Sequence, residues 1–323
     1  MCTAVTFHTD DHYFGRNLDF EYSYKETVTI TPRNYPLLFR YLPTIEKHFA
    51  FIGMATVDSN YPLYYDATNE KGLSMAGLYF PGNAVYQPIK KDMDNIAPFE
   101  LIPWMLSQCE NVAQVKVLLS QINLADIPYS DAYPQSPLHW MVADKQASIV
   151  IEPRKNGLEV FDNPVGVLTN NPPFDYHIQN LSNYLNLTSE EPINRFAPDC
   201  KIEAYSRGMG AIGLPGDLSS ASRFIRATFT KLNSVCDSTE LSSVSQFFHI
   251  LGAVLQQRGC AKIGNDYEET IYTSCCNVDK GIYYYTTYEN SQITAVQLAN
   301  TNLESNTLTL FPLVTNQQIL WQN

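Results

Sequence analysis

The chain opens with Met1-Cys-Thr-Ala-Val-Thr-Phe7 and continues, after a short polar stretch, with Tyr13-Phe-Gly-Arg-Asn-Leu-Asp19. Both segments are rich in β-branched and aromatic residues and are predicted strands. Because the connection between them is short, we expect them to pair as antiparallel neighbours. Arg16 and Asp19 on the second strand would then face Cys2 at the start of the first.

The residue types around Cys2 could support catalysis. Loss of Met1 would leave Cys2 at the N-terminus, where its thiol can attack a carbonyl carbon while its free α-amine carries the proton. A guanidinium such as Arg16 favours thiolate over thiol, and a carboxylate such as Asp19 can hold a protonated amine. The same residues also fit an ordinary second-position cysteine beside a surface ion pair worth under about 1 kcal/mol. The N-terminal pattern alone leaves both interpretations open.

Composition limits the kinds of protein this chain can be. Apolar residues make up 45% of its 323 residues and charged residues 17%, which indicates an extensive core and excludes widespread disorder. The net charge of −12 argues against a nucleic-acid partner, since such proteins need basic surfaces. No segment has the roughly 20 apolar residues that cross a bilayer, so no membrane partner is expected. Seven cysteines without framework spacing, and no signal-peptide pattern, predict a cytoplasmic location.

The predicted strands fall into three groups, at the beginning, in the middle and at the end of the chain. They cover residues 4–9, 13–20, 27–31, 49–55 and 72–80, then 138–143, 148–152, 158–161 and 165–170, and finally 269–273, 281–287, 292–298 and 308–313. Helices are predicted over 99–109, after a cap at Asn111, after a cap at Ser219 or Ser220, and over 244–255. This order predicts an α+β fold, a four-layer α/β/β/α sandwich of two antiparallel sheets. No linker or repeat divides it, so residues 1–323 are predicted to form a single domain.

Common cofactor and metal motifs are absent or out of place. Gly208-Met-Gly-Ala-Ile-Gly213 matches the dinucleotide-binding pattern, but Leu214-Pro-Gly-Asp217 follows it, which is turn chemistry rather than a helix start. The chain has no Gly-x-Ser-x-Gly, His-Glu-x-x-His or Cys-x-x-Cys sequence, so no metal site is expected. His139 and His249 are predicted to be core histidines whose nitrogens are hydrogen-bonded.

Motifs spread along the chain resemble those of one family. They are Met1-Cys-Thr3, Phe14-Gly-Arg-Asn17 with Asp19, Ile30-Thr-Pro-Arg-Asn34, Asn69-Glu-Lys-Gly72, Pro137-Leu-His-Trp140, Gly166-Val-Leu-Thr-Asn-Asn171, Gly213-Leu-Pro-Gly-Asp217, Ser222-Arg-Phe224 and Tyr284-Tyr-Thr-Thr-Tyr-Glu-Asn290. Through them the chain resembles the choloylglycine hydrolase family of N-terminal-nucleophile hydrolases, which contains bile salt hydrolases and penicillin V acylases. The resemblance spans the whole chain and implies amide hydrolysis without a cofactor, by a protein that assembles as a homotetramer.

The resemblance also implies roles for individual residues. Cys2 would be the nucleophile after loss of Met1, and the supporting catalytic residues would be Arg16, Asp19, Asn170 and Arg223. The Asn170 side-chain amide and the backbone N–H of Tyr79 would form the oxyanion hole, in which removal of one donor typically costs about 10²- to 10³-fold in rate. The thioester formed on Cys2 would then be hydrolysed by water.

Two departures from the family pattern leave the substrate open. Tyr79 stands where bile salt hydrolases usually have asparagine and where penicillin V acylases resemble this chain, and Tyr133-Pro-Gln-Ser136 replaces a segment in which leucines are usual. Hydrolysis of glycine- or taurine-conjugated bile acids is the first interpretation. Penicillin V acylase is the alternative, and a non-catalytic protein with a sterol cleft is a third.

A rigid, apolar sterol would require a cleft with aromatic and aliphatic walls. Aromatic residues that could line such a cleft are chosen by their position in the sequence alone, and ordinary core packing is the competing interpretation for each one. These candidates are Phe20, Tyr24, Tyr65, Tyr129 and Tyr133, together with Tyr79.

Overall fold

The computed structural model describes all residues from 1 to 323 and contains strands throughout the chain, interrupted by two blocks of helices. The strands are β1 Cys2–His8, β2 His12–Phe20, β3 Thr27–Thr31, β4 Phe51–Asp58, β5 Tyr61–Asn69, β6 Ser74–Tyr79, β7 Asp94–Ile96, β8 Ile122–Leu124, β9 Leu138–Ala143, β10 Ser148–Arg154, β11 Gly157–Asp162, β12 Val167–Leu168, β13 Lys262–Ile263, β14 Asp266–Tyr267, β15 Glu269–Asn277, β16 Ile282–Thr287, β17 Thr294–Gln297 and β18 Thr309–Pro312. The helices are α1 Leu101–Gln108, α2 Val112–Leu119, α3 Phe174–Asn180, α4 Ser220–Asn233 and α5 Glu240–Gly252. Short 3₁₀ turns occur at Pro98–Glu100, Leu181–Tyr184, Met209–Ala211 and Leu298–Asn300.

Most strands belong to two large antiparallel sheets. The first has six strands in the order β12-β1-β2-β15-β16-β17, and the second has eight in the order β11-β10-β9-β6-β5-β4-β3-β18. Strands β1 and β2 contact β6, so the sheets pack face to face. Helices α4 and α5 cover the outer face of the six-stranded sheet, while α1 packs on β5 and β6 of the other sheet. The predicted four-layer α+β sandwich is therefore confirmed.

Two apolar clusters fill the spaces between these layers. The larger cluster joins both sheets to α4 and α5, and it includes Met141 of β9 and Phe224 of α4. The smaller cluster joins the eight-stranded sheet to α1 and α2, and it includes Trp104 of α1 and Val142 of β9. Each large apolar side chain buried in this way contributes about 1.5–3 kcal/mol. The site strands β1 and β2 lie inside the larger cluster.

Several boundaries differ from the sequence expectations, and six elements were not predicted, namely β5, α3 and the short strands β7, β8, β13 and β14. The strand β5 was not predicted, because Pro62 lies within it and a turn at Ser59 and Asn60, both with positive φ, separates it from β4. The short helix α3 was also missed, since Pro173 precedes it and its seven residues carry little periodic pattern. The helix predicted over 244–255 begins at Glu240, where the Thr239 side chain accepts the Ser242 N–H.

Candidate active site

The pairing of β1 with β2 places Cys2 between Arg16 and Asp19. Cys2 lies opposite Leu18, and Ala4 lies opposite Arg16. Since side chains alternate between the faces of a strand, Cys2 and Arg16 share the face toward the eight-stranded sheet, whereas Asp19 lies on the face toward α4. Arg16 and Asp19 are both fully buried and approach Cys2 from opposite sides, so they are not a surface ion pair.

Arg16 is held by main-chain carbonyl groups of the eight-stranded sheet. Its Nη1 donates to Gly77 O at 2.5 Å and to Tyr65 O at 3.0 Å, while its Nη2 has no hydrogen-bond partner. Burial alone would lower the pKa of Arg16, but Cys2, Tyr272 and Asp66 around it raise that pKa above its ordinary value. Arg16 is therefore a permanent buried cation with one free donor group beside Cys2.

Asp19 lies between β15 and α4. Its Oδ1 accepts a 2.6 Å hydrogen bond from Thr270 Oγ1, and its Oδ2 is 3.9 Å from Arg223 Nη1 with no hydrogen bond of its own. Burial raises the pKa of Asp19, and the charge of Arg223 opposes that rise. The free Oδ2 oxygen is available to hold a cationic group such as an N-terminal amine.

Arg223, in the first turn of α4, ties the start of β1 to the loop after β12. Its Nη1 donates to Cys2 O at 2.6 Å and to Thr3 Oγ1 at 2.7 Å, and its Nη2 donates to Asn170 Oδ1 at 2.8 Å. Burial lowers the pKa of this guanidinium, although the charge of Asp19 partly compensates. The location of α4 thus fixes the backbone on both sides of Cys2.

Every polar group of Asn170 has a partner. Its Oδ1 also accepts the Cys2 N–H at 2.7 Å, and its Nδ2 donates to Tyr79 O at 2.7 Å. Its backbone N–H donates to Ser220 Oγ at 2.8 Å, and its carbonyl accepts from His177 Nε2 at 2.9 Å. The second hydrogen of the Nδ2 amide remains free to bind an oxyanion.

The backbone N–H of Tyr79 is a second free donor next to Asn170. The N–H of Phe80 donates to Pro137 O in the ladder with β9, so the N–H of Tyr79 points to the other side of β6. The β5–β6 ladder ends at Ala76, which leaves that N–H without a strand partner. It faces the same side as the Tyr79 carbonyl that Asn170 binds, as an oxyanion hole requires.

Met1, which precedes Cys2, has its ammonium group bound next to the catalytic candidates. The Met1 ammonium contacts the buried Glu268 carboxylate and donates to Asp19 O at 2.7 Å. Burial lowers the pKa of this amine. While Met1 is attached, the nitrogen of Cys2 is a peptide nitrogen and cannot serve as a base. The chemistry predicted for Cys2 therefore requires that Met1 be removed.

An aromatic wall lies beside the end of β2. Ring centroids are 5.5 Å apart for Phe20 and Tyr24, 6.2 Å for Tyr24 and Tyr133, and 5.9 Å for Tyr129 and Tyr133. Tyr65 is half-buried and its hydroxyl bonds Thr56 Oγ1 at 2.9 Å. Tyr79 leaves 41% of its surface exposed at the end of β6.

Four residues at the site were not predicted from the sequence. Glu268 and Thr270 contact Met1 and Asp19, while His177 and Ser220 hold the backbone of Asn170. Each of them reaches the site through contacts between distant segments, which no local pattern reveals. Only Ser220 gave a signal, since the serines before α4 were predicted as its cap.

The two histidines predicted for the core differ in outcome. His139 is fully buried with both nitrogens hydrogen-bonded, as predicted. His249 is exposed on α5, because the buried face of that helix is formed by residues such as Phe247, Ile250 and Leu251. No group of three or more metal-ligating side chains converges anywhere in the chain. No helix has the length and apolar character needed to span a bilayer.

Comparisons with known proteins extend over nearly the whole chain. Residues 2–311 match the sequence profile described as linear amide C–N hydrolases, choloylglycine hydrolase family. The chain is 56% identical over 319 residues to the bile salt hydrolase/transferase of Lactiplantibacillus plantarum, covering 98% of each chain. A crystal structure of a variant of conjugated bile acid hydrolase from Clostridium perfringens superposes with a TM-score of 0.93, at 37% identity and full coverage of both chains.

A more distant structure shares the fold. Penicillin V acylase from Agrobacterium tumefaciens superposes with a TM-score of 0.78 over 99% of this chain and 94% of that one, at 14% identity. At that identity the likeness concerns the fold alone. The profile match and the 56% identity both cover the whole site, from Cys2 to Arg223. The chain belongs to the choloylglycine hydrolase family of linear amide C–N hydrolases.

Proposed function

We propose that this protein is a bile salt hydrolase, which cleaves the amide bond of glycine- and taurine-conjugated bile acids with Cys2 as its nucleophile after Met1 is removed. The observation that carries the proposal is the convergence on Cys2 of Arg16, Asp19, Asn170 and Arg223. The names of the close relatives support the substrate class. An amide hydrolase needs a nucleophile, a base and an oxyanion hole, and this arrangement can provide all three.

The proposed reaction begins with proton transfer within Cys2 itself. Without Met1, the nitrogen that now lies 2.7 Å from Asn170 Oδ1 becomes a free α-amine, held in place by that oxygen. The thiolate, stabilised by the Arg16 cation, attacks the amide carbon, and the α-amine passes the proton to the leaving glycine or taurine. Water then attacks the thioester, with the same amine as base, and releases the free bile acid.

The charge that develops on the carbonyl oxygen needs two donors in fixed positions. The free hydrogen of Asn170 Nδ2 and the unpaired N–H of Tyr79 are the proposed oxyanion hole. Arg223 has a different role, because it binds Asn170 Oδ1 and Cys2 O and so fixes the donor relative to the nucleophile. Asp19 offers its free Oδ2 to the protonated amine.

Substrate preference depends on the aromatic wall and on Tyr79. We propose that Phe20, Tyr24, Tyr129 and Tyr133 contact the sterol, and that Tyr65 supports this wall from β5. The paired experiment compares turnover of glycocholate, taurocholate and penicillin V by one preparation. Preference for either bile salt supports the proposal, whereas a preference for penicillin V by orders of magnitude would overturn it in favour of the alternative, penicillin V acylase.

Tyr79 is the observation that favours that alternative, and its substitution is a specific test. We expect Tyr79→Asn to raise the ratio of glycocholate turnover to penicillin V turnover, because the half-exposed ring at the oxyanion hole is replaced by a smaller polar group. The backbone N–H is unchanged, so activity itself should persist. Tyr176→Asn, at a similarly exposed tyrosine on α3, is the matched control. An unchanged ratio would show that Tyr79 does not select the substrate.

The state of the N-terminus decides between an enzyme and a sterol-binding protein. Intact mass measurement of the purified protein should show that Met1 is absent, and Cys2→Ala should abolish hydrolysis of both conjugates. Retention of Met1 in an active preparation would contradict the mechanism. Bile-acid binding without turnover by the processed chain would favour the non-catalytic interpretation.

We also propose that four copies assemble into a homotetramer that works in the cytoplasm. Large apolar side chains are almost fully exposed in the segment before α4, which supports self-association: Leu185 is 85%, Phe196 96% and Tyr205 86% exposed. All seven cysteines are free, which is consistent with a reducing compartment. Light scattering should give four times the chain mass, and cell fractionation should recover the protein with cytoplasmic markers. A monomer, or a membrane-associated protein, would contradict these proposals.

A further inference from the structure

Two ionisable groups are buried beneath the oxyanion hole without touching Cys2. His139 of β9 and Glu152 of β10 are fully buried. His139 Nδ1 is 3.1 Å from Glu152 Oε1, and His139 Nε2 is 2.8 Å from Thr169 O. A carbonyl oxygen only accepts, so His139 Nε2 donates to Thr169 O, and the ring is held between that carbonyl and the Glu152 carboxyl group. Burial of two polar side chains is costly unless they are hydrogen-bonded, and here the hydrogen bonds of both lead to the segments that carry the site.

The His139 ring contacts the neighbours of both oxyanion donors. Thr169, whose carbonyl it binds, immediately precedes Asn170. Phe80, which immediately follows Tyr79, stacks on the His139 ring with centroids 4.2 Å apart and planes 5° from parallel. One rigid ring therefore sets the separation between the segment that carries the Asn170 amide and the segment that carries the Tyr79 N–H.

Glu152 connects the His139 ring to helix α3, which also contacts Asn170. Its Oε2 accepts from Arg154 Nε at 2.8 Å and Nη2 at 2.5 Å, and its Oε1 also accepts the Phe174 N–H at 2.9 Å. Phe174 begins α3, which carries His177. His177 Nε2 donates to Asn170 O at 2.9 Å, and burial lowers the pKa of His177 to about 4, so the ring is neutral at pH 7 with its proton on Nε2.

We propose that Glu152, His139 and His177 form a positioning network that holds the Asn170 amide and the Tyr79 N–H at the spacing required to bind an oxyanion. The proposal rests on the amide hydrolysis proposed above. None of the three residues contacts the nucleophile, so they act only through the two donors. A displacement of about 1 Å in a catalytic group can cost 10²-fold in rate, which is why a buried, hydrogen-bonded support matters here.

The test is His139→Leu, which introduces an apolar side chain of similar bulk and removes both hydrogen bonds. We expect kcat for glycocholate to fall roughly 10- to 100-fold with KM within about twofold of the wild-type value, because the donors act on the transition state rather than on the bound substrate. His139→Gln, which can still donate to Thr169 O, should recover part of kcat. Glu152→Gln should lower kcat in the same direction.

Val142→Ala is the matched control. Val142 is fully buried in the same strand but faces α1 and α2, so its truncation lowers stability without touching the network. We expect its kcat to stay near the wild-type value even where its melting temperature falls as much as that of His139→Leu. An equal loss of kcat in both variants, an unchanged kcat in His139→Leu, or a change confined to KM would overturn the proposal.

Crystal structures of the two variants provide a readout that does not depend on the substrate. In His139→Leu the distance from Asn170 Nδ2 to Tyr79 O should exceed hydrogen-bonding range, and in Val142→Ala it should stay near 2.7 Å. If the wild-type protein cleaves none of the tested amides, the proposed function fails, yet this distance still decides the positioning role. An undisturbed Asn170 in His139→Leu would reject that role whatever the substrate.

Discussion

Two buried arginines lie on either side of Cys2, Arg16 on strand β2 and Arg223 on helix α4. Each guanidinium loses several kcal/mol of hydration on burial, and that cost is offset only by good hydrogen-bond geometry and by nearby anions. Arg16 has Asp66 as a neighbouring charge and carbonyl oxygens as acceptors, whereas Arg223 has Asp19 and the amide oxygen of Asn170. Replacement of either arginine by lysine would therefore lose the several directed bonds that one planar group makes.

The clearest prediction for a single residue concerns Asn170. Asn170→Ala removes one oxyanion donor and should lower kcat by about 10²- to 10³-fold for any amide substrate. Asn171→Ala is the control, because the neighbouring amide binds Pro81 O rather than Tyr79 O. Steady-state kinetics and melting temperatures of both variants separate a lost donor from a destabilised fold. Equal kcat values in the two variants would contradict the assignment.

Protonation of His12 should make the protein sensitive to acid. Its ring is fully buried and stacked on His8, neither nitrogen has a partner, and burial lowers its pKa to about 3. An unfolded chain, with a histidine pKa near 6.5, binds one more proton than the folded chain between these two values, so lowering the pH through this window destabilises the fold. The slope approaches about 1.4 kcal/mol per pH unit for each such histidine.

His12→Phe tests this linkage. The phenyl ring can keep the stack on His8 but cannot be protonated. The slope of unfolding free energy against pH, between pH 6 and about pH 4, should therefore be smaller by up to the equivalent of one bound proton. Urea unfolding at a series of pH values measures that slope. His177, with a pKa of about 4, should account for part of the slope that remains. Identical slopes in His12→Phe and the wild-type protein would reject the assignment.

Among the helices and strands, the start of α4 makes the most side-chain hydrogen bonds to Cys2 and Asn170. Its first turn carries Arg223 and Ser220, which bind Cys2 O, Asn170 Oδ1 and the Asn170 N–H. The side chain of Ser219 caps this turn by accepting the Ser222 N–H. The position of the oxyanion donor therefore depends on how well one helix end is ordered.

The two capped helices allow a matched comparison. Ser219→Ala and Thr239→Ala each remove a capping side chain and should each cost about 1 kcal/mol of unfolding free energy. Only Ser219→Ala should also lower kcat, by roughly threefold to tenfold, because α5 carries none of the site residues. Chemical denaturation and kinetics on the same samples make the comparison. A similar loss of kcat in both variants would show that the helix start does not set the site geometry.

Only some of the helices and strands could be predicted from local sequence patterns. Strong local patterns, such as the Asn111 and Ser219 caps and the β-branched and aromatic residues of 4–9 and 13–20, predicted elements that the structure contains. The strand β5 and the helix α3 were missed, since Pro62 and Pro173 weaken their patterns. Tertiary packing stabilises these elements more than their own sequence does.

For the site, the sequence alone predicted that Cys2, Arg16 and Asp19 lie close together. It did not predict that Arg16 and Asp19 approach Cys2 from opposite sides of the sheet. Strand alternation could have predicted that difference, because residues three apart on one strand point to opposite faces. Asn170 and Arg223 came only from the resemblance. The contacts of Glu152, His139 and His177 join segments far apart in the chain, so no local pattern could have indicated them.

At the scale of the whole molecule, the structure predicts when Met1 must be removed. Its ammonium contacts buried Glu268 and the carbonyl of Asp19, so the folded chain withholds it from an aminopeptidase. Protein made while methionine aminopeptidase is inhibited should keep Met1 and be inactive. Added aminopeptidase should then process it during refolding from urea but not in the folded state, as intact mass would show. Equal processing of the folded protein would contradict the prediction.

The location of β1 and β2 in the middle of the six-stranded sheet determines how the protein should lose activity on heating. Cys2, Arg16 and Asp19 lie on these strands, between two layers of side chains, rather than on a surface loop that can open by itself. Strands in such positions exchange their amide hydrogens only through the largest openings of a fold. Heat inactivation should therefore coincide with global unfolding, and a storage half-life measured by activity would report the survival of the entire sandwich.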